Sequence, residues 1–204
     1  MTGTPLRFET LTGDALRAEL PALASLRTVV FRDWPYLYDG EEDYERRYLA
    51  TYADSPGAAA IVARDGDAIV GAATCQPMAE AAMPVKALFA ARSMDPARFC
   101  YFGESVLLPP YRGQGAGVRF FEMREAHARA LGAGIAAFCA VTRNENDPRR
   151  PGDHVPLDSF WRNRGYTRRP DISCVLHWKE VGDDRETPHS LGFWLKALDG
   201  APLP

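Results

Sequence analysis

The sequence predicts a mixed α/β fold whose sheet is not purely parallel, and three observations carry that prediction. Two apolar runs, AAAIVARD and AIVGAATCQPM, meet at Asp65-Gly66-Asp67, and an Asp-Gly pair between such runs is a strong hairpin signal. A strand-like stretch, RFCYFGESVLLP, stops at Pro109-Pro110 and gives way to a glycine-rich turn and a helix reaching Leu131. The chain then closes on DISCVLHWKEV and HSLGFWLKAL, which read as a second hairpin. Hairpins interleaved with helices require a mixed sheet with helices packed on it.

Each element has a local reason. PLRFETL (5–11) reads as a first strand. Over 14–30, Leu16, Leu20, Leu23 and Val30 recur at helix spacing, with Pro21 breaking or restarting the helix. An aromatic, acidic loop follows and leads into a helix with Tyr44, Tyr48 and Tyr52 at i, i+4, i+8. The hairpin comes next, then a helical insert at about 84–93. In the helix after the glycines, Phe120, Met123, His127, Ala130 and Leu131 fall on one face of the wheel, opposite Glu122, Glu125 and Arg129. GIAAFCAVTR (134–143) reads as a buried strand, followed by a polar loop and the short helix LDSFWRNRG.

No repeat, low-complexity tract or interdomain linker divides the 204 residues, so one domain spans 1–204. Hydrophobic residues make up 46% and charged ones 25%, enough for an ordinary buried core. A net charge of -3 argues against a sequence-independent nucleic-acid binder. No apolar run suits a membrane span, and the N-terminus lacks a signal-peptide pattern, so a cytoplasmic protein is expected. Cys75, Cys100, Cys139 and Cys174 are isolated in apolar contexts, which points to small buried hydrophobes and to neither a disulfide framework nor a metal site.

The turn itself, LLPPYRGQGAGVRF (107–120), carries chemistry. Each glycine near a helix costs roughly 0.5–1 kcal/mol relative to alanine. A strand, then glycines, then a helix N-terminus is a way to hold phosphate, because the first helical N–H groups lack partners and the helix dipole is positive there. Arg112 adds a cation at the same end. The dinucleotide fingerprint G-x-G-x-x-G fails by one position, and no Gly-Lys-Ser/Thr follows to make a nucleoside triphosphate loop.

Arg112-Gly113-Gln114-Gly115-Ala116-Gly117 resembles the Q/R-x-x-G-x-G/A acyl-CoA pyrophosphate loop of the GNAT N-acetyltransferase superfamily. FWRNRGY (160–166) resembles that family's F-Y-x-x-x-G-F segment, and the element order over roughly 5–180 is similar. The resemblance implies a mixed, mostly antiparallel central sheet whose two central parallel strands splay apart, flanked by helices. It also implies acetyl-CoA as co-substrate and no metal. Backbone groups near Leu107 and Leu108 would pair with the pantetheine arm, the N–H groups of 112–117 would hold the pyrophosphate, and Asn144 or Asn146 would sit beside the arm. An amine would then attack the thioester directly.

Two departures mark this sequence. Trp161 stands where relatives often place a tyrosine that protonates the CoA thiolate. Glu104, which interrupts an apolar strand, is the candidate base, although the glutamate base of some relatives lies earlier, nearest Tyr101. Cys139 and His127 read as core residues and His154 as a surface-loop residue, in a loop long enough to reach a site. For the acceptor, the segments FRDWPYLYDGEEDYE and TRNENDPRRPGDHVP are the ones to shape it. Asp33, Asp39, Glu41, Glu42 and Asp43 suit a cationic amine, and Arg143, Arg149 and Arg150 an anionic group on the same molecule. A small-molecule amine is therefore the expected partner, with neither nucleic acid nor membrane, and a homodimer stays open. The alternatives are a non-catalytic acyl-CoA-binding or regulatory module, which Trp161 favours, and a protein or peptide N-acetyltransferase.

Overall fold

Strand alternation and turn chemistry place the sheet where the sequence expects it. The computed structural model describes residues 5–198, 200 and 202–204. Seven strands, β1 (Arg7–Leu11), β2 (Ala59–Asp65), β3 (Ala68–Pro77), β4 (Phe99–Leu107), β5 (Ile135–Val141), β6 (Thr167–Lys179) and β7 (Glu186–Ala197), form one sheet in the order β1-β2-β3-β4-β5-β7-β6. Among the described residues six α-helices accompany them: α1 (Gly13–Ala18), α2 (Leu20–Phe31), α3 (Glu42–Asp54), α4 (Met83–Ala90), α5 (Ala116–Ala130) and α6 (Asp158–Arg162). Pro21 falls in the first turn of α2, where its missing N–H costs nothing, so it restarts the helix.

Every strand pair is antiparallel except β4 with β5. That pair is short: Phe99, Cys100 and Tyr101 face Ile135, Ala136 and Ala137, and pairing stops there. Beyond Tyr101, β4 stays with β3 while β5 stays with β7, so the two halves of the sheet part. The mixed sheet with splayed parallel central strands is therefore present.

A bulge accompanies the parting. Ser105 faces Ala73 and Phe102 faces Cys75, which leaves Gly103 and Glu104 opposite the single residue Thr74. The groups this frees are satisfied from two sides. Glu104 N–H donates to Thr74 Oγ1 at 3.2 Å, and Arg124 Nη1 donates to the carbonyls of Thr74 (3.4 Å) and Glu104 (3.3 Å).

Three clusters form the core. Helices α2 and α3 cover one face of the β1–β4 half through Leu23, Leu26, Leu49 and Tyr52. Helix α5 covers the other face through Phe120 and Phe121, and α4 packs on β5–β7 through Phe89. The wheel of α5 is turned relative to expectation. Its buried residues include Phe120, Phe121, Arg124, Glu125 and Ala128, whereas Leu131 is exposed. The reason is that Arg124 is needed at the bulge and Glu125 accepts from Tyr166 and Lys196, so two charged residues take inward positions.

Glycine at position 103 lets α3 approach. A Cβ there would fall 2.6 Å from Thr74 Oγ1 and onto the hydroxyl of buried Tyr52. Gly103→Ala should destabilise the protein by about 1–3 kcal/mol, read as a lower urea midpoint at unchanged slope; an unshifted midpoint would mean that Tyr52 simply swings aside.

Candidate active site

Where β4 and β5 separate, a cavity of about 1240 Å³ opens. Its walls are the parted strand edges, the turn before α5, α6, the segment 33–36 and the loop 142–157. Strand alternation decides which backbone groups face it. Leu108 N–H donates to Val70 O at 2.9 Å, so Leu108 points toward β3 and Leu107 points into the opening. Arg112 Nε donates to the Leu107 carbonyl at 3.1 Å, which fixes the turn against the end of β4.

The three glycines have two different jobs. Gly113 (φ +76°) and Gly115 (φ +86°) adopt left-handed backbone, and a Cβ at either would meet nothing within 4 Å. They shape an open turn that only glycine adopts without strain. Gly117, already helical, would place a Cβ 3.0 Å from the Phe160 ring, so it lets α6 pack against the start of α5. The first intrahelical donor is Arg119, to Gly115 O at 3.1 Å. The amides of Ala116, Gly117 and Val118 thus precede the first intrahelical donor, and Gly117 and Val118 line the cavity, as suits an anion. Gln114 braces the turn by donating to Pro110 O at 3.0 Å.

On the α2–α3 face stands a buried charge group. Glu104 is 6% exposed and Glu45 0%. Arg27 joins them: Nη1 meets Glu104 Oε2 at 2.7 Å, and Nε donates to Glu45 Oε2. Its guanidinium also lies 4.6 Å from the Tyr48 ring centre and 4.8 Å from that of Phe31. Burial opposes the charge on Arg27, yet Glu104, Tyr48 and Glu45 outweigh it and hold the group more firmly protonated than usual. Tyr48 reaches Glu104 Oε2 at 3.4 Å, and burial keeps the phenols of Tyr36, Tyr48 and Tyr52 protonated well above their ordinary range. Two carboxyl groups share one guanidinium here, and among the described residues Glu104 Oε1 has no hydrogen-bond partner.

The segment 33–39 is strapped across the opening by a second ion-pair group. Arg143 donates to the carbonyls of Pro35 (2.5 Å) and Tyr36 (2.7 Å), and Trp178 Nε1 donates to Tyr36 O at 3.1 Å. Buried Glu180 pairs with both Arg143 and Arg149, with His189 Nδ1 3.5 Å away. Arg149 also forks onto Asp147, whose carboxyl it holds down at about 2. Trp34 and His154 meet edge to face, 5.9 Å between ring centres, so His154 lines the cavity and is more than a surface loop residue.

The structure gathers most of the expected residues. Glu104, Leu107, Arg112, Gly113, Gly115, Gly117 and Asn144 all line the cavity. The Asn144 side-chain oxygen accepts from Asn146 N–H at 3.0 Å and so shapes its own turn. Trp161 packs on Phe138 and Trp194, each 5.1 Å away, and lines the wall. Arg143 and Arg149 are already taken by carboxylates; of the three loop arginines, Arg150 faces the cavity with no carboxylate contact among the described residues. Asp39 is likewise taken, by Arg32 and Lys179. Cys75, Cys100 and Cys139 are buried, and His127 is satisfied by Gly57 O at 3.0 Å. Sequence reasoning missed Arg27, Tyr36, Arg124 and Glu180. For Arg124 a signal existed, since it continues Phe120 toward Ala128 at helical spacing.

Comparison with known proteins identifies the family and the fold. The sequence model described as the acetyltransferase (GNAT) family matches residues 23–151. Among solved structures, yncA of Salmonella typhimurium with its cofactor acetyl-CoA superposes with a TM-score of 0.61 at 14% identity, covering 98% of each chain. The ribosomal-protein-alanine N-acetyltransferase of Brucella melitensis gives 0.61 at 15% identity, over 94% of this chain and 99% of that one. An N-acetyltransferase from Staphylococcus aureus Mu50 gives 0.60 at 12%, over 96% of this chain and all of its own. No curated protein sequence matches.

The strap should register in acid stability. Burial alone would raise the Glu180 carboxyl, but Arg149 and Arg143 outweigh it and hold it below its ordinary 4.5. A carboxyl lower in the folded than in the unfolded chain contributes stability above the unfolded value and loses it as pH falls through the folded one. Glu180→Ala should cost about 3–5 kcal/mol at neutral pH and weaken the loss of thermal stability below pH 4.5. Parallel pH profiles for variant and wild type would rule out this role.

Proposed function

Since the chain belongs to the GNAT acetyltransferase family, we propose that it moves the acetyl group of acetyl-CoA to the primary amine of a small molecule, by direct attack in a ternary complex. The observation that carries this reading is the cavity itself. It has an anion-binding helix start at one end of the parted strands and a buried acidic group behind the other face. The residues suit acetyl-CoA: an open turn at Gly113–Gly115, amides of Ala116–Val118 for the pyrophosphate, and the free edge of Leu107 for an extended amide-bearing arm.

The reaction needs a deprotonated amine, a positioned thioester and somewhere for the thiolate charge to go. Glu104 is the base in this proposal. Arg27 grips one carboxylate oxygen, which fixes the side chain, and the other, buried and without a hydrogen-bond partner among the described residues, is the atom that would take the proton. Tyr36 and Trp34 bound the acceptor from the strapped segment, where aromatic faces favour a cation. With Arg143, Arg149 and Asp39 committed within the fold, the reading narrows to an amine whose anionic group, where it has one, meets Arg150.

Mixing the protein with acetyl-CoA and a broad panel of amines should release free thiol, and mass spectrometry should find the acetylated amine. Thiol release with peptides alone would move the substrate class to polypeptides, and CoA binding without release would favour a non-catalytic module. Glu104→Gln should lower turnover at least about tenfold, with KM for acetyl-CoA little changed; unchanged turnover across the pH range would remove Glu104 as base. Gly115→Ala, which strains a left-handed position, should weaken CoA binding about tenfold, measured by calorimetry; equal affinity would take the turn out of the donor site.

A further inference from the structure

Trp161 offers no useful acid where relatives often place a tyrosine, so the charge on the departing sulfur needs another answer. Arg124 supplies one. It is 2% exposed, lies on the floor of the cavity, and has no carboxylate partner among the described residues. Its guanidinium lies 4.5 Å from the Phe102 ring centre and 4.8 Å from that of Phe121. Nε and Nη1 donate to the carbonyls of Phe120, Thr74 and Glu104, while Nη2 has no partner among the described residues. Carbonyl groups alone do not require a full charge, and an uncompensated buried cation is costly. The titratable groups around it are Tyr166, Cys75, Cys100 and Glu104. Burial and Glu125 keep Tyr166 protonated, Cys75 and burial keep Cys100 protonated, and the Glu104 carboxylate is held by Arg27 on the other face of the sheet. Burial outweighs these neighbours and lowers the pKa of the Arg124 guanidinium below its ordinary value, the mark of a cation compensated only in part.

Depth along the cleft matches as well. From Leu107 down to Glu104 the strand descends about 10 Å. From Ala116 to Arg124 helix α5 returns about 12 Å. The two meet at the Glu104 carbonyl, near the point where β4 and β5 join. A chain running from the glycine turn along the edge of β4 carries its far end to this level.

We propose that Arg124 is the fixed positive charge that stabilises the CoA thiolate as it departs, in place of a protonating tyrosine. This rests on the acetyl-CoA reading above. The amine nitrogen bonds to the acetyl carbon, the C–S bond breaks with its electron pair on sulfur, and the proton lost by nitrogen leaves through Glu104 and water. The thiolate is then protonated by solvent on release.

The test is the pH dependence of product binding, which needs no acceptor. Calorimetry compares CoA with desulfo-CoA, which has no thiol. In the wild type, CoA affinity relative to desulfo-CoA should rise about threefold or more between pH 7 and pH 9, as a bound thiol pKa lowered by roughly one unit requires. Arg124→Met should flatten that rise while still binding desulfo-CoA, and Arg124→Lys should keep part of it. A flat wild-type profile overturns the proposal with no variant needed, and so does an unchanged rise in Arg124→Met. Binding of neither ligand by the wild type overturns the acetyl-CoA reading instead.

Discussion

Everything distinctive in this molecule follows from three residue pairs of parallel sheet. Phe99–Tyr101 and Ile135–Ala137 hold the two halves together, and beyond them β4 and β5 each keep only one neighbour. A strand edge with one neighbour leaves every second amide and carbonyl to the solvent or to another chain, and here those edges line the cavity. The bulge at Gly103–Glu104 helps to turn β4 away, and the protein meets its cost locally with Thr74 and Arg124.

Two ion-pair groups keep the opening from collapsing or wandering. Arg27 fastens α2 to α3 and to β4, and Arg143 with Glu180 fastens the segment 33–39 to β6 and to the loop after β5. Buried pairs of this kind add little net stability over well-packed apolar groups. What they provide here is orientation, since each ties together pieces of chain far apart in sequence that share one wall of the cavity. Hydrophobic contacts among the same elements would bring them close without setting where a carboxylate points.

The sheet was legible because its signals are local. Asp65-Gly66-Asp67 names its own hairpin, Pro21 its own helix start, and the glycines after Pro110 their own turn. The glycine turn was legible for the same reason, as it is one continuous segment. The opposite wall of the cavity was not, because it is assembled from separated stretches whose meaning lies in pairing. Arg143 and Arg149 look free in sequence, and Glu180, the residue that engages them, lies in a strand end that nothing marks as special. The face of α5 was misread where Arg124 interrupts the apolar stripe, since a charged residue counts against burial until a bulge with spare carbonyls is known to lie beneath it.

Helix α5 joins the two halves of the argument. Its start is positive because its first amides lack partners, and two turns later Arg124 adds a full charge under the strands. The acidic group of Glu104, Glu45 and Arg27 lies on the opposite face of the sheet. In the proposed reaction the amine would approach from that side and the thiolate would leave along α5. The sheet thus stands between the carboxyl groups and the buried guanidinium of Arg124, and the break between β4 and β5 brings Glu104 and Arg124, from opposite faces, to the lining of one cavity.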